Sequence, residues 1–309
     1  MWSRRVQQSR SPRRLRRARV FGTVLAALLL GSVLTGCVTN NEGLVPAEQV
    51  KVDRVDEIAA LVPPDIASTG RLVIGVNVPY APNEFKDESG EIVGFDVDLM
   101  TAVAGVMGLT ADFKQADFAR IIPAVQAGTF DMGASSFTDT KEREESVDFV
   151  TYYRAGIQWA QRAGDSIDPD DACGLRVGVQ TTTTEDIDEV PAKSDACVAA
   201  GKPPISKIKY DSQDAVANAL ILGRVDALSA DSPVTAYAIK RSNGRLVPAG
   251  ELFDSAPYGW PVKKGSPLAP ALQQALQHLI DTGVYQQIAE NWGVGAGTIT
   301  TSQINGAAG

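Results

Sequence analysis

Two pairs of similar segments decide the fold class of this chain. Residues 72–77 have the sequence LVIGVN and residues 175–180 have the sequence LRVGVQ, two short apolar runs that each end on a polar residue. Residues 128–136 (GTFDMGASS) and 223–231 (GRVDALSAD) are likewise similar to each other, and each segment also ends on a polar residue. Short apolar runs of this length are typical of buried strands. The repeat therefore predicts two similar halves that each contain the same pair of strands.

Amphipathic helices separate the predicted strands. The segments Asp96–Gly108 and Leu268–Ile280 have apolar residues at helical spacing, and further strands are predicted over residues 110–115 and 130–135. The alternation of strands with helices predicts an α/β fold in which most strands are parallel.

Four polar residues stand at the ends of the repeated strands. Asn77 and Ser136 end the pair in the first half, and Gln180 and Asp231 end the pair in the second. Ligands of open α/β sheets bind beyond the carboxyl ends of the strands. The four side chains are therefore expected to line two facing mouths, which is the arrangement of a two-lobed clamp.

Two predicted helix starts add donors to this site. Asp139 followed by Glu142 matches a capping box, and the helix that begins there carries Arg143, whose planar guanidinium suits a carboxylate. Thr182 and Glu185 form a similar pattern in the second half. Each helix start has an alternative. The segment with Arg143 could be an exposed helix with ordinary ion pairs, and the threonines could form an ordinary polar loop.

A third helix start concerns the acid at residue 231. Asp231 precedes Ser232 and Pro233, and because proline favours the first turn of a helix, Ser232 is predicted as the N-cap. Asp231 would then face the cleft as a partner for a cation, whereas in the alternative Asp231 caps the helix itself. A carboxylate partner in Arg143 and an ammonium partner in Asp231 together suit a zwitterionic amino acid.

The composition limits the chemistry that the chain can perform. Its 309 residues, 44% of them hydrophobic, are enough for two domains. Residues 1–36 hold eight arginines and no acid, so the remainder has 21 basic against 37 acidic residues, a net charge of −16. This charge argues against nucleic-acid binding. A single histidine leaves little room for a zinc site or a histidine-based triad, so neither metal nor cofactor is expected.

The N-terminus has the features of an export signal. A basic region precedes the apolar stretch Val20–Leu34, and the sequence LTGC that ends at Cys37 resembles a bacterial lipobox. This resemblance implies removal of residues 1–36 and lipidation of Cys37, followed by a tether and lead-in segment over 37–69. Within that segment, residues 50–62 are expected to form a short helix before Pro63. A soluble-secretion signal and an uncleaved anchor are the alternatives, and general and twin-arginine export both stay open.

The cysteines also indicate an exported protein. If Cys37 carries lipid, Cys173 and Cys197 are the only other cysteines, and they are 24 positions apart in the second half. In an oxidising compartment this separation predicts one local disulfide between them.

A set of ordered motifs resembles the family 3 extracellular solute-binding proteins, the polar amino-acid receptors of ABC importers. Each motif is short, but together they follow the family's order and cover nearly all of the mature chain, from about Gly70 to Gly293. The matching motifs are PYAP at 79–82, GEIVGFDVDL at 90–99, IIPAVQAG at 121–128, SSFTDTKER at 135–143, GVQT at 178–181, GRVDALSAD at 223–231 and GVYQQIAENW at 283–292.

The resemblance implies a periplasmic-binding-protein-like clamp with two lobes. Lobe 1 would be discontinuous and contain residues 70–151 and 259–309, and lobe 2 would contain residues 157–253. The two crossings, near residues 152–156 and 254–258, would act as hinges.

The resemblance also implies roles for individual residues. The family usually has glycine at the place of Thr182, so a positive φ there would strain this residue and disturb the contacts of Thr183 and Thr184. Arg143 would clamp the α-carboxylate of the ligand. The other implied roles are amide contacts from Thr138 and Thr184, ammonium contacts from Asp231 and Ser136, stacking by Tyr80 and Phe118, a side-chain pocket shaped by Asn77, Phe137 and Gln180, and a further loop contact from Thr183.

The implied function is that of a lipid-anchored receptor on the extracytoplasmic face. It would capture a free amino acid and deliver it to the transmembrane permease of an ABC importer, and its other partner would be membrane lipid through Cys37. A monomer without enzymatic activity is expected. The alternatives are a dehydratase-like enzyme on the same fold and a sensor-type binding module. Neutral Asn77 and Gln180 predict a polar, uncharged ligand side chain, with glutamate left open.

Overall fold

The computed structural model describes residues 50–307. The predicted signal peptide, the lipidation of Cys37 and the first part of the predicted tether lie outside the described residues. Between residues 50 and 307, no helix is both long enough and apolar enough to cross a membrane.

The strands form one large sheet and one small hairpin. Eight strands belong to the sheet, and the short strands β2 and β3 pair only with each other. The strands are β1 Arg71–Val76, β2 Phe85–Lys86, β3 Ile92–Val93, β4 Thr110–Gln115, β5 Met132–Gly133, β6 Val147–Arg162, β7 Arg176–Gln180, β8 Ser206–Tyr210, β9 Ala227–Asp231 and β10 Leu246–Lys263.

The large sheet is mixed, with the order β4-β1-β5-β10-β6-β9-β7-β8. On either side the strands are parallel, as the alternating pattern predicts. The two central strands β6 and β10 are 16 and 18 residues long and run antiparallel to each other. We call the side with β4, β1 and β5 the first half of the sheet and the side with β9, β7 and β8 the second half. The predicted α/β fold is confirmed.

Helices cover both faces of the sheet. Between strands they alternate as expected, and single turns of other helix types occur at Pro169–Asp171, Glu185–Glu189 and Gly295–Gly297. The helices are α1 Asp56–Ala59, α2 Pro64–Thr69, α3 Phe95–Val106, α4 Phe118–Gln126, α5 Lys141–Glu144, α6 Val190–Ala199, α7 Gln213–Ile221, α8 Ser232–Arg241, α9 Leu268–Asp281 and α10 Val284–Asn291.

Helix α9 shows how the sequence specifies these elements. Leu268, Leu272, Leu276 and Leu279 recur every three or four residues, and all four are buried in the main core of the first half. Beyond the helix, Gly283 adopts a left-handed φ of 79°, a conformation that ends helices at little steric cost for glycine. The predicted helix over 268–280 is thus confirmed to within one residue.

Each half of the sheet has hydrophobic clusters of its own. In the first half the main cluster includes β1, α3, α9 and α10, and a smaller one lies beneath α4. In the second half one cluster lies between β7 and α6 and another between β9 and α7. Only β6 and β10 continue through both halves among the described residues.

The predicted disulfide is confirmed. Cys173 follows the turn Pro169–Asp171 and Cys197 lies in α6, with 5.6 Å between their Cα atoms. The bond therefore fastens α6 to the loop that leads into β7.

Two element predictions are corrected. The strand expected over 130–135 is only Met132–Gly133, because Phe130 turns its ring against Gly75 of β1, where an added Cβ would lie 2.5 Å from it. The short helix expected before Pro63 is the single turn Asp56–Ala59, and an unpredicted second helix, α2, follows it.

Candidate ligand-binding site

A narrow cleft lies where the carboxyl ends of strands from both halves meet. Nine of the eleven ligand-site residues expected from the sequence line it, and Asn77 and Phe137 lie behind its wall. One residue that was not expected there, Glu185, also lines it. The lining residues are Tyr80, Phe118, Ser136, Thr138, Arg143, Gln180, Thr183, Thr184, Glu185 and Asp231.

Arg143 enters the cleft from the four-residue helix α5. The N-cap of this helix is Thr140, whose hydroxyl accepts a hydrogen bond from the Arg143 amide at 3.2 Å. The predicted capping box at Asp139 and Glu142 is therefore wrong by one residue. Asp139 is instead buried and accepts a hydrogen bond from the Gly306 amide at 2.7 Å.

The Arg143 guanidinium joins the two halves of the molecule. It donates to the carbonyl of Thr138 at 2.8 Å and to the carbonyl of Thr182 at 3.0 Å. Burial lowers its pKa, while the carboxylates of Glu185 and Asp231 act in the opposite direction. A guanidinium keeps its charge under such conditions, so the cleft holds one permanent cation.

An aromatic pair forms one wall of the cleft. Phe118 and Phe137 stack with their ring centroids 4.3 Å apart, and the Arg143 guanidinium lies over both rings at 5.9 and 5.6 Å. Phe118 faces the cleft, whereas Phe137 is buried in the core beneath it. Phe137 therefore shapes the cleft from behind, through its contacts with Phe118 and with the Arg143 guanidinium.

Asp231 lies at the end of β9, directly before α8. It occupies the N-cap position, so the prediction that Ser232 caps the helix is wrong, but its side chain makes no cap hydrogen bond. The carboxylate instead accepts a 2.6 Å hydrogen bond from the Tyr80 hydroxyl and is 8% exposed. Burial, together with the nearby charge of Glu185, raises the pKa of Asp231 to about 8. Its orientation into the cleft is the one that the sequence predicts.

The threonine loop after β7 is strained. Thr182 has a φ of 65°, a left-handed conformation that is rare for a β-branched residue, and its amide donates to Asp186 at 2.9 Å. The Asp186 amide donates in turn to the Thr183 hydroxyl at 3.4 Å. The predicted pairing of Thr182 with Glu185 is therefore wrong, because Asp186 rather than Glu185 binds the Thr182 amide and the helical turn begins only after Thr184.

Glu185 is the cleft residue that the sequence argument missed. It is 1% exposed, its Oε2 accepts a long 3.5 Å hydrogen bond from Thr184, and its Oε1 has no hydrogen-bond partner among the described residues. Burial raises the pKa of Glu185, and Arg143 opposes this shift. Its position directly after two predicted ligand contacts, Thr183 and Thr184, indicates a place in the cleft. The sequence pattern instead predicted Glu185 as part of a helix cap.

Asn77 and Gln180 form a bridge between the halves behind the cleft. The Gln180 amide donates to Asn77 Oδ1 at 2.8 Å, and the Asn77 amide donates to the Ala116 carbonyl at 3.0 Å. Gln180 Oε1 has no partner within residues 50–307. The predicted pair of neutral amides is thus brought together, with only Gln180 at the cleft surface.

A buried carboxyl network supports Ser136 from below. The Ser136 amide donates to Asp96 at 3.0 Å, and the Tyr152 hydroxyl donates to the same oxygen at 2.7 Å. Ser135 donates to Glu84 at 2.5 Å. Burial raises the pKa of Glu84 well above its usual range and that of Asp96 to about 6. Burial therefore favours the protonated form of Glu84 beside the Asp96 carboxyl.

A second, wider cavity of about 320 Å³ adjoins the cleft and shares Thr138, Thr184 and Asp231 with it. Its walls come largely from the middle of β6 and β10, and Glu189 contributes a buried carboxylate. The cleft thus continues toward the two strands that connect the halves of the sheet.

Comparison with known proteins agrees with this geometry. Residues 72–295 match the family described as bacterial extracellular solute-binding proteins, family 3. The chain is 49% identical over 276 residues to the arginine-binding protein ArgT of Corynebacterium glutamicum, covering 88% of this chain and 91% of the relative. It is 30% identical to the L-arginine-binding protein of Pseudomonas aeruginosa, covering 74% of this chain and 90% of that protein.

Solved structures of related proteins share the fold. An ancestral arginine-binding protein bound to arginine superposes with a TM-score of 0.67 at 35% identity, covering 72% of this chain and 98% of that one. The form bound to glutamine gives a TM-score of 0.66 at 34% identity, covering 73% and 98%. Sequence and structure therefore lead to the same conclusion, that this chain belongs to the family 3 bacterial extracellular solute-binding proteins and is an extracytoplasmic binding protein rather than an enzyme.

Proposed function

We propose that this protein captures L-arginine between two lobes and delivers it to the permease of an ABC importer. The observation that carries the proposal is the charge of the cleft, where two buried carboxylates, Asp231 and Glu185, face one guanidinium, Arg143. A ligand with two cations and one anion complements this set.

The charges pair in a simple way. The ligand's carboxylate suits the planar donors of Arg143, and its α-ammonium and guanidinium suit Asp231 and Glu185. Burial raises the pKa of both acids, and repulsion from Glu185 raises the pKa of Asp231 further. Arginine removes that repulsion, whereas a neutral side chain leaves one buried carboxylate without a partner.

The relatives support this choice of ligand. The proteins from Corynebacterium glutamicum and Pseudomonas aeruginosa are both named as arginine-binding proteins. We therefore favour a cationic side chain over the uncharged one that Asn77 and Gln180 predict. The amide pair keeps a polar, uncharged amino acid as the second candidate, and a Bacillus subtilis relative at 27% identity is named as glutamine-binding.

We also propose the two-lobe division with residues 152–156 and 254–258 as hinges. The separate cores of the two halves support it, as does the passage of β6 and β10 between them. The ladder of β10 with β6 shifts register between Phe253 and Ala256 and again between Tyr258 and Gly259. Interrupted pairing at this place favours bending there over bending within either half.

The remaining residue roles extend the proposal. Tyr80 and Phe118 flank the ligand, and Ser136, Thr138, Thr183 and Thr184 complete the polar contacts around its α-groups. Lipidation of Cys37 would keep the protein near its permease.

Calorimetric titration of the twenty amino acids tests the ligand. We expect arginine to bind most tightly, and Glu185→Gln to weaken arginine binding by at least about tenfold, because a buried cation loses its charged partner. The same variant should leave glutamine affinity within about threefold, which is less than 1 kcal/mol.

Asp188→Asn is the matched control, since Asp188 is an exposed acid in the same turn that lines only the wider cavity. It should leave arginine affinity nearly unchanged. Glutamine binding more tightly than arginine would instead support the uncharged candidate and overturn the choice of arginine.

A further inference from the structure

The last described residues form a strap across the first half of the sheet. We define the C-terminal strap as residues 303–307, which lie beyond residues 72–295, the part that matches the family. Ile304 forms an antiparallel bridge with Val150 of β6. The strap therefore lies outside the part that matches the family, and it is seated beside the segment that carries Arg143.

Reciprocal hydrogen bonds hold the start of the strap to β6. Thr151 and Gln303 exchange two bonds of 2.8 Å, one from each amide. Phe149 and Asn305 exchange two more, each of 2.9 Å, in which the Asn305 side chain accepts from the Phe149 amide. This part of the strap is therefore hydrogen-bonded to β6 in the way that a short additional strand would be.

The end of the strap reaches the two flanks of α5. The Gly306 amide donates to Asp139 at 2.7 Å, and the Ala307 amide donates to Glu144 at 3.2 Å. Gly306 must be small here, because an added Cβ would lie 2.7 Å from the Thr151 side chain. The carboxylates just before and at the end of α5 are thus both bound by the strap.

Helix α5 depends on such external support. It has four residues, and beyond the Thr140 cap its own hydrogen bonding includes a 2.9 Å bond from the Glu144 amide to the Thr140 carbonyl. Helices this short are unstable alone, because nucleation fixes several residues for one hydrogen bond. On its other side the segment is held by the Asp139 amide, which donates to Pro257 of β10 at 2.9 Å.

We propose that the C-terminal strap positions Arg143 for ligand binding, with Asp139 and Glu144 as the positioning residues that connect the two. This inference rests on the proposed function, in which Arg143 binds the ligand's carboxylate. The strap holds both ends of α5 against β6, so the guanidinium meets the ligand without first ordering its own helix.

Truncation after Ser302 tests the proposal in the otherwise complete protein. We expect arginine affinity to fall by about tenfold or more, as it does when a binding group loses its preorganisation. In an Arg143→Ala background the same truncation should change the residual affinity less than about twofold, because coupled positions act as a unit. Equal losses in both backgrounds would show a general structural effect and overturn the proposal.

A matched control loosens the tail elsewhere. Gln277 in α9 binds the tail at Thr300 and Ser302, away from α5. Gln277→Ala should therefore leave arginine affinity unchanged even if it lowers the melting temperature. Loss of affinity by this variant equal to that of the truncation would contradict a specific effect on Arg143.

Point variants keep the test valid if the truncated chain fails to fold. Asp139→Ala removes the acceptor for Gly306 and should weaken arginine binding, whereas Asp139→Asn retains an acceptor and should restore most of it. Equal affinities of these two variants would overturn the proposal. If the unmodified protein binds no amino acid, the proposed function fails, and this inference with it. If it binds but the truncation leaves affinity within about twofold, below 0.5 kcal/mol, only the strap's role is refuted.

Discussion

At the scale of single residues, Thr182 is the place where the chain departs most clearly from ordinary backbone preferences. Its φ of 65° is held by the bond from its amide to Asp186 and by the Arg143 guanidinium on its carbonyl. A left-handed β-branched residue stores about 1–3 kcal/mol of strain. The strain is tolerated because this peptide lies between the two halves and contacts Arg143.

Replacing this threonine with glycine should stabilise the protein. We expect Thr182→Gly to raise the free energy of unfolding by about 1 kcal/mol, because relief of strain exceeds the added chain entropy of glycine. Denaturant titration measures the change. Thr181→Gly, at a neighbouring residue without a positive φ, should destabilise instead, and equal destabilisation by both variants would contradict the strain argument.

Asp231 should make ligand binding depend on pH. Its pKa is raised to about 8 by burial and by Glu185, so near pH 6–7 the unliganded carboxyl is mostly protonated. A ligand cation favours the carboxylate, so binding should release a proton, and affinity should rise by up to about tenfold per pH unit until the pH reaches this pKa. Calorimetry at pH 7 in two buffers of different ionisation enthalpy counts the protons.

The variant Asp231→Asn provides the control for this pH dependence. It should release fewer protons and show a flatter pH profile. An unmodified protein whose arginine affinity is constant between about pH 6 and pH 8 would show that Asp231 is already ionised when the cleft is empty.

At the scale of secondary-structure elements, the sequence predicted the repeated strands and the longer amphipathic helices but not how helix ends are capped. Apolar spacing located α3 and α9 because those helices bury one continuous face. The N-cap residues Thr140, Thr184 and Asp231 each differ from expectation, and of these three only Thr140 makes a side-chain cap hydrogen bond. Several neighbouring residues there can cap a helix, and long-range partners such as Gly306 and Tyr80 decide among them.

The disulfide belongs to this scale because it fastens α6 to the loop before β7. Changing both cysteines to serine should lower the free energy of unfolding by about 3 kcal/mol, the value for a closed loop of this length. Reducing agent should lower the stability of the unmodified protein to that of the double variant and leave the variant unaffected. A difference between oxidised and double-variant protein under about 0.5 kcal/mol would contradict a stabilising role, since ordinary surface changes are that small.

At the scale of the whole molecule, the cleft depends on contacts that no local pattern reveals. The repeat predicted that Ser136 and Asp231 would meet, because strand ends gather at one edge of a sheet. It gave no indication of the Glu185 carboxylate or of the strap at Asp139. The strap arises from packing between segments far apart in sequence, and the orientation of a single carboxylate is likewise not reported by periodicity.

The two halves should close around the ligand, with each half contributing one charged group to it. Arg143 comes from the first half and Asp231 from the second, and the guanidinium donates hydrogen bonds to the carbonyls of Thr138 and Thr182. A bound amino acid replaces these weaker contacts with charged ones, since hydrogen bonds between ions are roughly twice as strong as neutral ones. Ligand binding should therefore strengthen the link between the halves.

Calorimetric titration of L-arginine into Arg143→Ala, beside the unmodified protein, tests this account most directly. Loss of the guanidinium leaves the ligand's carboxylate without a partner in a closed cleft, which should cost about 2–5 kcal/mol, or roughly 30-fold to several-thousand-fold in Kd. A surface ion pair would contribute less than about 1 kcal/mol. Arginine affinity of the variant within about threefold of the unmodified protein would contradict the proposed binding of a zwitterion between Arg143 and Asp231.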